Sequence, residues 1–200
     1  MDGRVSLRQS NKGFTLIEIC VVMALISILA AVTTMSLIRW QEYSTYKTME
    51  DNAELIYMAA KNKIAQLKSD NTFKELKNWG SKGTETSFTD YNHTINGSPV
   101  TGPVYYFSCN EGDYDKYTQK KSDANKTLWF DLLCDYLHDK KILKANIVIE
   151  YGEDGTIYTV YYSDRTTMGY DSSSTVNLYS SQNKTYDFWY ENVIGIYSIK

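Results

Sequence analysis

Few side chains in this sequence are of types that carry out chemistry. The 200 residues include only two histidines and three cysteines, which leaves little material for a histidine-built metal or acid–base site. No nucleophile elbow, zinc-protease, P-loop or dinucleotide-binding motif occurs. The candidates are a carboxylate beside an apolar run, an acidic cluster, a pair of cysteines and a cysteine–histidine pair: Glu18; Glu111, Asp113 and Asp115; Cys109 and Cys134; Cys134 and His138.

Glu18 is the most informative candidate because of its position. It is the only charged residue between Phe14 and Ile38, and the 20 residues from Ile19 to Ile38 carry no charge. As a helix, such a run measures about 30 Å, the thickness of the hydrocarbon core of a bilayer. A lone carboxylate in a membrane costs roughly 3 kcal/mol, so its presence indicates a functional group that finds a partner.

The acidic cluster Glu111, Asp113 and Asp115 offers the oxygen ligands that Ca²⁺ prefers. Its spacing is not that of an EF-hand loop. A solvated acidic loop is the favoured interpretation, and the cluster stays a weak metal candidate. We expect no cofactor.

The cysteines leave two alternatives open. Cys20 lies inside the apolar run and is interpreted as a small packing residue. Cys109 and Cys134 form either a disulfide, which would stabilise the fold by roughly 3 kcal/mol, or two buried thiols. Cys134 and His138 are spaced to share one helix face, but no third group is in view to orient them. The sequence therefore predicts a protein that is not an enzyme.

The elements that position these residues begin with a long helix. No glycine or proline occurs from Phe14 to Trp79, and an apolar stripe at three- to four-residue steps follows the apolar run. These features predict a helix from Phe14 to about Lys68, apolar all round in its first half and amphipathic in its second. The stripe consists of Tyr46, Met49, Ala53, Ile56, Tyr57, Ala60, Ile64 and Leu67.

The remainder is predicted to be a head of α+β class with an antiparallel sheet. Runs rich in valine, isoleucine and tyrosine predict strands, and an apolar face predicts a second helix at 124–139. Thr72 and Glu75 suggest a capping box before a short helix, and residues 80–103 and 165–174 are predicted loops. The predicted strands are 104–109, 145–151 and 156–163, with 152–155 as a hairpin loop, and short strands near 176–179 and 193–199.

The N-terminal segment Lys12-Gly13-Phe14-Thr15-Leu16-Ile17-Glu18 resembles the class III leader of type IV prepilins and pseudopilins. The resemblance implies a pilin-like fold and cleavage after Gly13 by a membrane prepilin peptidase. It also implies N-methylation of Phe14 and pairing of Glu18 with the N-terminal amine of a neighbouring subunit during assembly. Small residues in the run suit close helix packing or simple exposure to lipid: Ala24, Ser27, Ala30 and Ala31.

The resulting domain prediction has four parts: a leader at 1–13, a transmembrane and assembly half at 14–38, an amphipathic half at 39–68, and an extracytoplasmic head at 69–200. Basic residues before a span tend to remain in the cytoplasm, so the N-terminus is expected inside and the head outside. The expected partners are prepilin peptidase, other pilin or pseudopilin subunits, the inner-membrane assembly platform and the bilayer. The final location is a filament on the cell surface or in the periplasm.

The function implied is that of a minor pilin or pseudopilin, in a pilus or fimbrium for adhesion, motility or DNA uptake, or in type II secretion. An unprocessed single-span protein with an extracellular binding head is the alternative, and a secretory signal peptide is disfavoured by the length of the run. The net charge of −3 does not favour nucleic acid. Three lysines suit a helix C-terminus better than DNA phosphates: Lys140, Lys141 and Lys144.

Overall fold

A computed structural model of the chain describes residues 13–73, 81–82, 94–95, 98–99, 104–122, 124–169, 174–178 and 186–198. Contacts within the chain define two units, Met1–Glu42 and Tyr43–Lys200. A long helix is followed by a sheet-containing region, so the α+β class is confirmed. The predicted Thr72–Glu75 capping box and most of the predicted loop at 80–103 lie outside the described residues.

Helix α1 spans Leu16–Ser69 and confirms the predicted long helix. It ends at Ser69, one residue beyond the predicted end near Lys68. Asn71 has a φ of 59°, and the amide of Thr72 donates to the carbonyl of Leu67 over 3.0 Å. Asparagine tolerates this left-handed conformation, which closes the helix and satisfies its last carbonyls.

In the first unit, every residue of α1 up to Glu42 is exposed. By length and composition α1 is able to cross a membrane. The hydroxyls of the apolar run all donate to carbonyls one turn earlier, which leaves them satisfied without water. These bonds run from Ser27 to Met23, Thr33 to Leu29, Thr34 to Ala30 and Ser36 to Val32.

The second unit contains an antiparallel sheet of five strands in the order β1-β4-β5-β6-β9. The strands are β1 (Ser81–Lys82), β4 (Val104–Cys109), β5 (Asn146–Gly152), β6 (Ile157–Ser163) and β9 (Gly195–Ser198). The predicted central strands are thereby confirmed. Two further pairs are β2 (Thr94–Ile95) with β3 (Ser98–Pro99), antiparallel, and β7 (Met168–Gly169) with β8 (Val176–Asn177), parallel.

The core of the second unit lies on both faces of this sheet. One face packs against the stripe of α1 and against helix α3 (Ala124–Cys134), where Trp129 and Phe130 are fully buried. The ring of Phe107 stacks on Trp129 with centroids 5.2 Å apart. The other face is covered by a second cluster that includes Met168 and Leu178. Every residue of β5 is buried, as expected for a central strand covered on both sides.

Several boundaries differ from the prediction. The second helix was expected to reach Asp139 but ends at Cys134. In its last turn the amides of Tyr136 and Leu137 share the carbonyl of Leu133. Asp139 instead caps a 3₁₀ helix, Lys140–Lys144, accepting from the amide of Lys141 over 2.9 Å. Two short helices were missed, α2 (Asp113–Thr118) and α4 (Tyr186–Glu191). The predicted loop at 165–174 contains β7, and the strand predicted near 176–179 is limited to Val176–Asn177.

Candidate functional site: the N-terminus of the long helix

Glu18 and Thr15 form a reciprocal cap at the start of α1. The amide of Thr15 donates to Oε2 of Glu18 over 2.8 Å, and the Thr15 hydroxyl donates to the same oxygen over 2.9 Å. In return, the amide of Glu18 donates to Oγ1 of Thr15 over 3.3 Å. This is the capping-box arrangement, in which two otherwise unpaired helix donors are satisfied by side chains.

The cap explains how a carboxylate is tolerated at the edge of an apolar run. The negative charge of Glu18 lies at the N-terminus of α1, where the helix dipole favours an anion. Both hydrogen bonds from Thr15 end on Oε2, and no described residue donates to Oε1 of Glu18. One oxygen therefore holds the helix end while the other can accept a further donor.

The segment before the helix is open. Gly13 and Phe14 lie outside α1 and are exposed, and Phe14 has 84% of its surface accessible. A Cβ placed on Gly13 would meet nothing within 4 Å. The peptide bond between these residues thus lies outside the helix and is exposed. A cut there would place a new amine one residue before the Thr15 cap.

Comparison with protein families places a known motif on this segment. Residues 8–34 match the prokaryotic N-terminal methylation motif. The chain carries the class III prepilin leader of type IV pilins. The search of curated proteins found no match. The search of solved structures found none either. The leader supports a type IV pilin-like or pseudopilin precursor, and its long apolar helix fits membrane anchoring.

Sequence reasoning assigned Glu18 to assembly and missed its partner Thr15. The signal was present in the prepilin leader, because Thr15-Leu16-Ile17-Glu18 has the spacing of a capping box. The roles predicted for Gly13, Phe14 and Glu18 in processing and assembly stay predictions.

The two cysteines of the second unit, outside the leader, are free thiols in this structure. Cys109 ends strand β4 and is buried, and burial raises the pKa of its thiol to about 12. Cys134 ends α3 and is half-buried. Burial also raises the pKa of Cys134, and hydrogen bonds with Tyr114 and Tyr117 act against that shift. Of the two alternatives, this structure contains the two free thiols. The disulfide between Cys109 and Cys134 stays a prediction.

The acidic cluster is occupied by lysines. Asp113 is buried and accepts from Lys126 Nζ at 2.5 Å, from Lys116 Nζ at 3.1 Å and from the amide of Asn110 at 3.0 Å. Burial alone raises the pKa of Asp113, but these donors outweigh it and hold the pKa below its ordinary value. In the described parts of the chain, no group of three His, Cys, Asp or Glu side chains is arranged to hold a metal ion.

The remaining acidic and basic candidates are exposed. Asp115 pairs with Lys144 at 2.9 Å, and Glu111 is exposed. Lys144 belongs to the 3₁₀ helix together with Lys140 and Lys141, so these lysines do not end α3 as predicted.

Cys134 and His138 do not lie on the same helix, although their spacing suggested that they could. Because α3 ends at Cys134, His138 lies four residues beyond the helix instead of one turn along it. His138 is exposed whereas Cys134 is half-buried. The expectation that they could share one helix face is therefore wrong.

Proposed function

We propose that the chain is a type IV pilin-like structural subunit, a minor pilin or pseudopilin. In this proposal, prepilin peptidase cuts after Gly13, Phe14 is N-methylated, and the mature chain assembles into a filament through the apolar half of α1. The observation that carries the proposal is the match of residues 8–34 to the N-terminal methylation motif. The matched segment contains the exposed Gly13–Phe14 bond and the Thr15–Glu18 cap.

The proposed location follows from the charges around the apolar run. Arg4, Arg8 and Lys12 precede the run, and such residues remain on the cytoplasmic side. The chain is then a single-pass protein of the cytoplasmic membrane with its N-terminus inside and its head outside. After cleavage it moves into a filament on the cell surface or in the periplasm, and the assembly platform of the inner membrane is its partner.

The proposed role of Glu18 is to set the register between subunits. Cleavage creates a cationic amine on Phe14, and Oε1 of Glu18 is the oxygen left for such a donor on a neighbouring subunit. Within lipid, each of these charges alone is costly, so pairing them favours one alignment of two helices strongly.

The first test is the mass and N-terminal residue of the protein from cells that contain active prepilin peptidase. The expected product begins at Phe14 and is one methyl group heavier than the cut sequence. A chain that keeps Met1 in those cells would contradict the proposal. It would favour the alternative, an unprocessed single-span membrane protein with an extracellular binding head.

A pair of variants separates the charge of Glu18 from its capping role. Glu18→Gln keeps a side-chain oxygen for the Thr15 donors, since glutamine also serves in capping boxes, but removes the charge. We expect it to insert and be cut normally and to fail in filament assembly. Thr15→Val keeps the charge and removes the hydroxyl, and it is the matched control for loss of the cap. Normal filaments from Glu18→Gln would show that the charge does not set the register.

A further inference from the structure

A cluster of tyrosines lies at the beginning of the second unit. Tyr46 on α1 contacts two tyrosines of α4: its ring centroid is 5.3 Å from that of Tyr186 and 5.3 Å from that of Tyr190. Tyr186 and Tyr190 stack on each other with their centroids 6.2 Å apart. We call Tyr43, Tyr46, Lys47, Tyr186 and Tyr190 the aromatic patch.

The outer part of the aromatic patch is open while its base is buried. Tyr46 is buried, whereas 49% of Tyr43 and 52% of Tyr186 are accessible. Lys47 Nζ lies 5.8 Å from the centroid of the Tyr43 ring and forms an ion pair with Glu50. The patch therefore exposes aromatic rings with polar hydroxyls and carries little net charge.

The sequence limits where Tyr43 can be. It follows Ile38, the last residue of the apolar run, by five positions. Five residues reach about 7.5 Å as a helix and no more than about 18 Å when fully extended. The headgroup layer on each side of a bilayer is about 5–7 Å thick. If the run spans the membrane, the helical conformation of residues 38–43 places Tyr43 at about the outer edge of that layer.

Tyr186 is brought to the same place only by the fold. It is far from Ile38 in the sequence, and its contact with Tyr46 holds it three residues along α1 from Tyr43. Tyrosine is enriched at membrane interfaces, because its ring is apolar and its hydroxyl remains hydrated. A surface of exposed tyrosines beside the end of a span has the chemistry of an interfacial anchor.

We propose that the aromatic patch rests in the lipid headgroup layer before the subunit is assembled, with Tyr186 as its outlying contact. This inference rests on the membrane-anchored subunit proposed above, and it adds a second membrane contact that involves α4. Because Lys47 is paired with Glu50, the contact is aromatic instead of electrostatic, so it does not require anionic lipid.

The test uses the full chain in phosphatidylcholine nanodiscs that contain lipid with a nitroxide on the headgroup. Nuclear magnetic resonance of the labelled tyrosine rings then reports which rings lie near the nitroxide, because its unpaired electron broadens nearby signals. Tyr43 is the positive control, since the chain itself keeps it near the bilayer. Tyr136 is the matched negative control: 38% of it is accessible, and its hydroxyl contacts Gln66 near the far end of α1.

We expect loss of the Tyr186 ring signal in these nanodiscs, with the Tyr136 signal retained. The same loss is expected when anionic lipid is added, and a loss that appears only with anionic lipid would overturn the aromatic contact. A retained Tyr186 signal beside a lost Tyr43 signal would also overturn the proposal. If Tyr186 were then protected from iodination only in filaments, the patch would be a contact between subunits.

The outcome is separable from the function proposed for the chain. The nanodisc measurement needs neither cleavage nor assembly, so a chain that is never cut after Gly13 can still show the contact. Conversely, a correctly processed and assembled chain can leave Tyr186 unaffected. Retention of the Tyr43 signal would overturn both proposals, since it would show that the apolar run is not in the membrane.

Discussion

Gly195 on strand β9 lies directly against the backbone of Met49 on helix α1. A Cβ on Gly195 would stand 2.0 Å from the carbonyl carbon of Met49 and 2.2 Å from its oxygen. The contact joins the edge of the sheet to the helix at a point where only hydrogen fits. The amide of Glu50 would be 2.3 Å away, so the obstacle is main chain and not a movable side chain.

Gly195→Ala is therefore expected to destabilise the second unit by forcing β9 away from α1. Overpacking of this kind costs about 1–3 kcal/mol, and a rigid backbone neighbour favours the upper end. Denaturant unfolding of the full chain in detergent measures the change. Gly112→Ala is the control, because a Cβ there meets nothing within 4 Å and only its positive φ of 89° resists alanine. Equal losses in the two variants would contradict the steric argument.

Thr15→Val should loosen the first turn of α1. Removal of a threonine cap typically costs about 1 kcal/mol, and here it also frees the Glu18 carboxylate from one of its two donors. Hydrogen exchange of the Glu18 amide, which donates to the Thr15 hydroxyl, measures the effect in membranes. Thr15→Ser should retain slow exchange because it keeps the hydroxyl. Rapid exchange in the wild-type protein would show that the cap is not formed.

Lys126→Met should destabilise the protein more than Lys144→Met. The first change leaves the carboxylate of Asp113, whose side chain is only 9% accessible, without one of its charged partners. Breaking a fully buried pair costs about 3–5 kcal/mol, whereas exposed pairs contribute at most about 1 kcal/mol. Because Asp113 keeps Lys116 and the Asn110 amide as donors, the loss from Lys126→Met should lie between these values. The Lys144–Asp115 pair is exposed on both sides. The unfolding midpoints of the two variants measure their stabilities directly. Similar losses of stability would contradict the prediction that the Asp113 pair contributes more.

Asp113 should make stability fall in acid. Its pKa is lower in the folded protein than its ordinary value, so the folded state binds the proton less readily than the unfolded state. The stabilisation is complete above the unfolded value of about 3.9 and is lost as pH falls through the lower folded value. In Asp113→Asn, this part of the acid-induced loss should be absent. If the free energy of unfolding depended on pH in the same way in Asp113→Asn as in the wild-type protein, Asp113 would not be the source of the acid-induced loss.

The two thiols of the second unit should differ in reactivity. Cys109 is buried and its pKa is raised to about 12, while Cys134 is half-buried. Since the thiolate is the reactive form, native labelling with a maleimide should modify Cys134 and spare Cys109. The mass of protein from the oxidising side of the membrane tests the disulfide prediction, because a bond removes two hydrogens. Labelling of Cys109 in the folded protein would contradict its burial.

The long helix and central strands were predictable because local and tertiary preferences agree there. The stretch without glycine or proline and the stripe from Tyr46 to Ile64 predict α1, and these stripe residues are buried. The apolar β-branched residues of Ile147–Ile149 likewise predict a covered strand.

The missed helices depend on contacts far along the chain. Helix α2 begins with an acidic segment that favours a loop, yet Asp113 is held by Lys126 and Tyr114 packs against Phe130 with ring centroids 5.5 Å apart. Helix α4 is rich in aromatic residues, which favour strands, and its Tyr186 packs on Tyr46 of α1. Neither contact is visible in the order of residues. The Thr15–Glu18 cap was local and could have been predicted.

In the assembly that we propose, the hydroxyls of the apolar run have a consequence for how two subunits align. Each hydroxyl of the run donates its proton to a carbonyl of its own helix, at Ser27, Thr33, Thr34 and Ser36. None of these hydroxyl protons is then available for a hydrogen bond that would stabilise a neighbouring helix in a wrong alignment. In the assembly proposed above, two such helices would meet no competing side-chain donor along the run, and their alignment would depend on the pair between Glu18 and the N-terminal amine of the cut neighbour. A wrong alignment in that proposed assembly would leave the one charge pair unmade and would gain no side-chain hydrogen bond from the run in return.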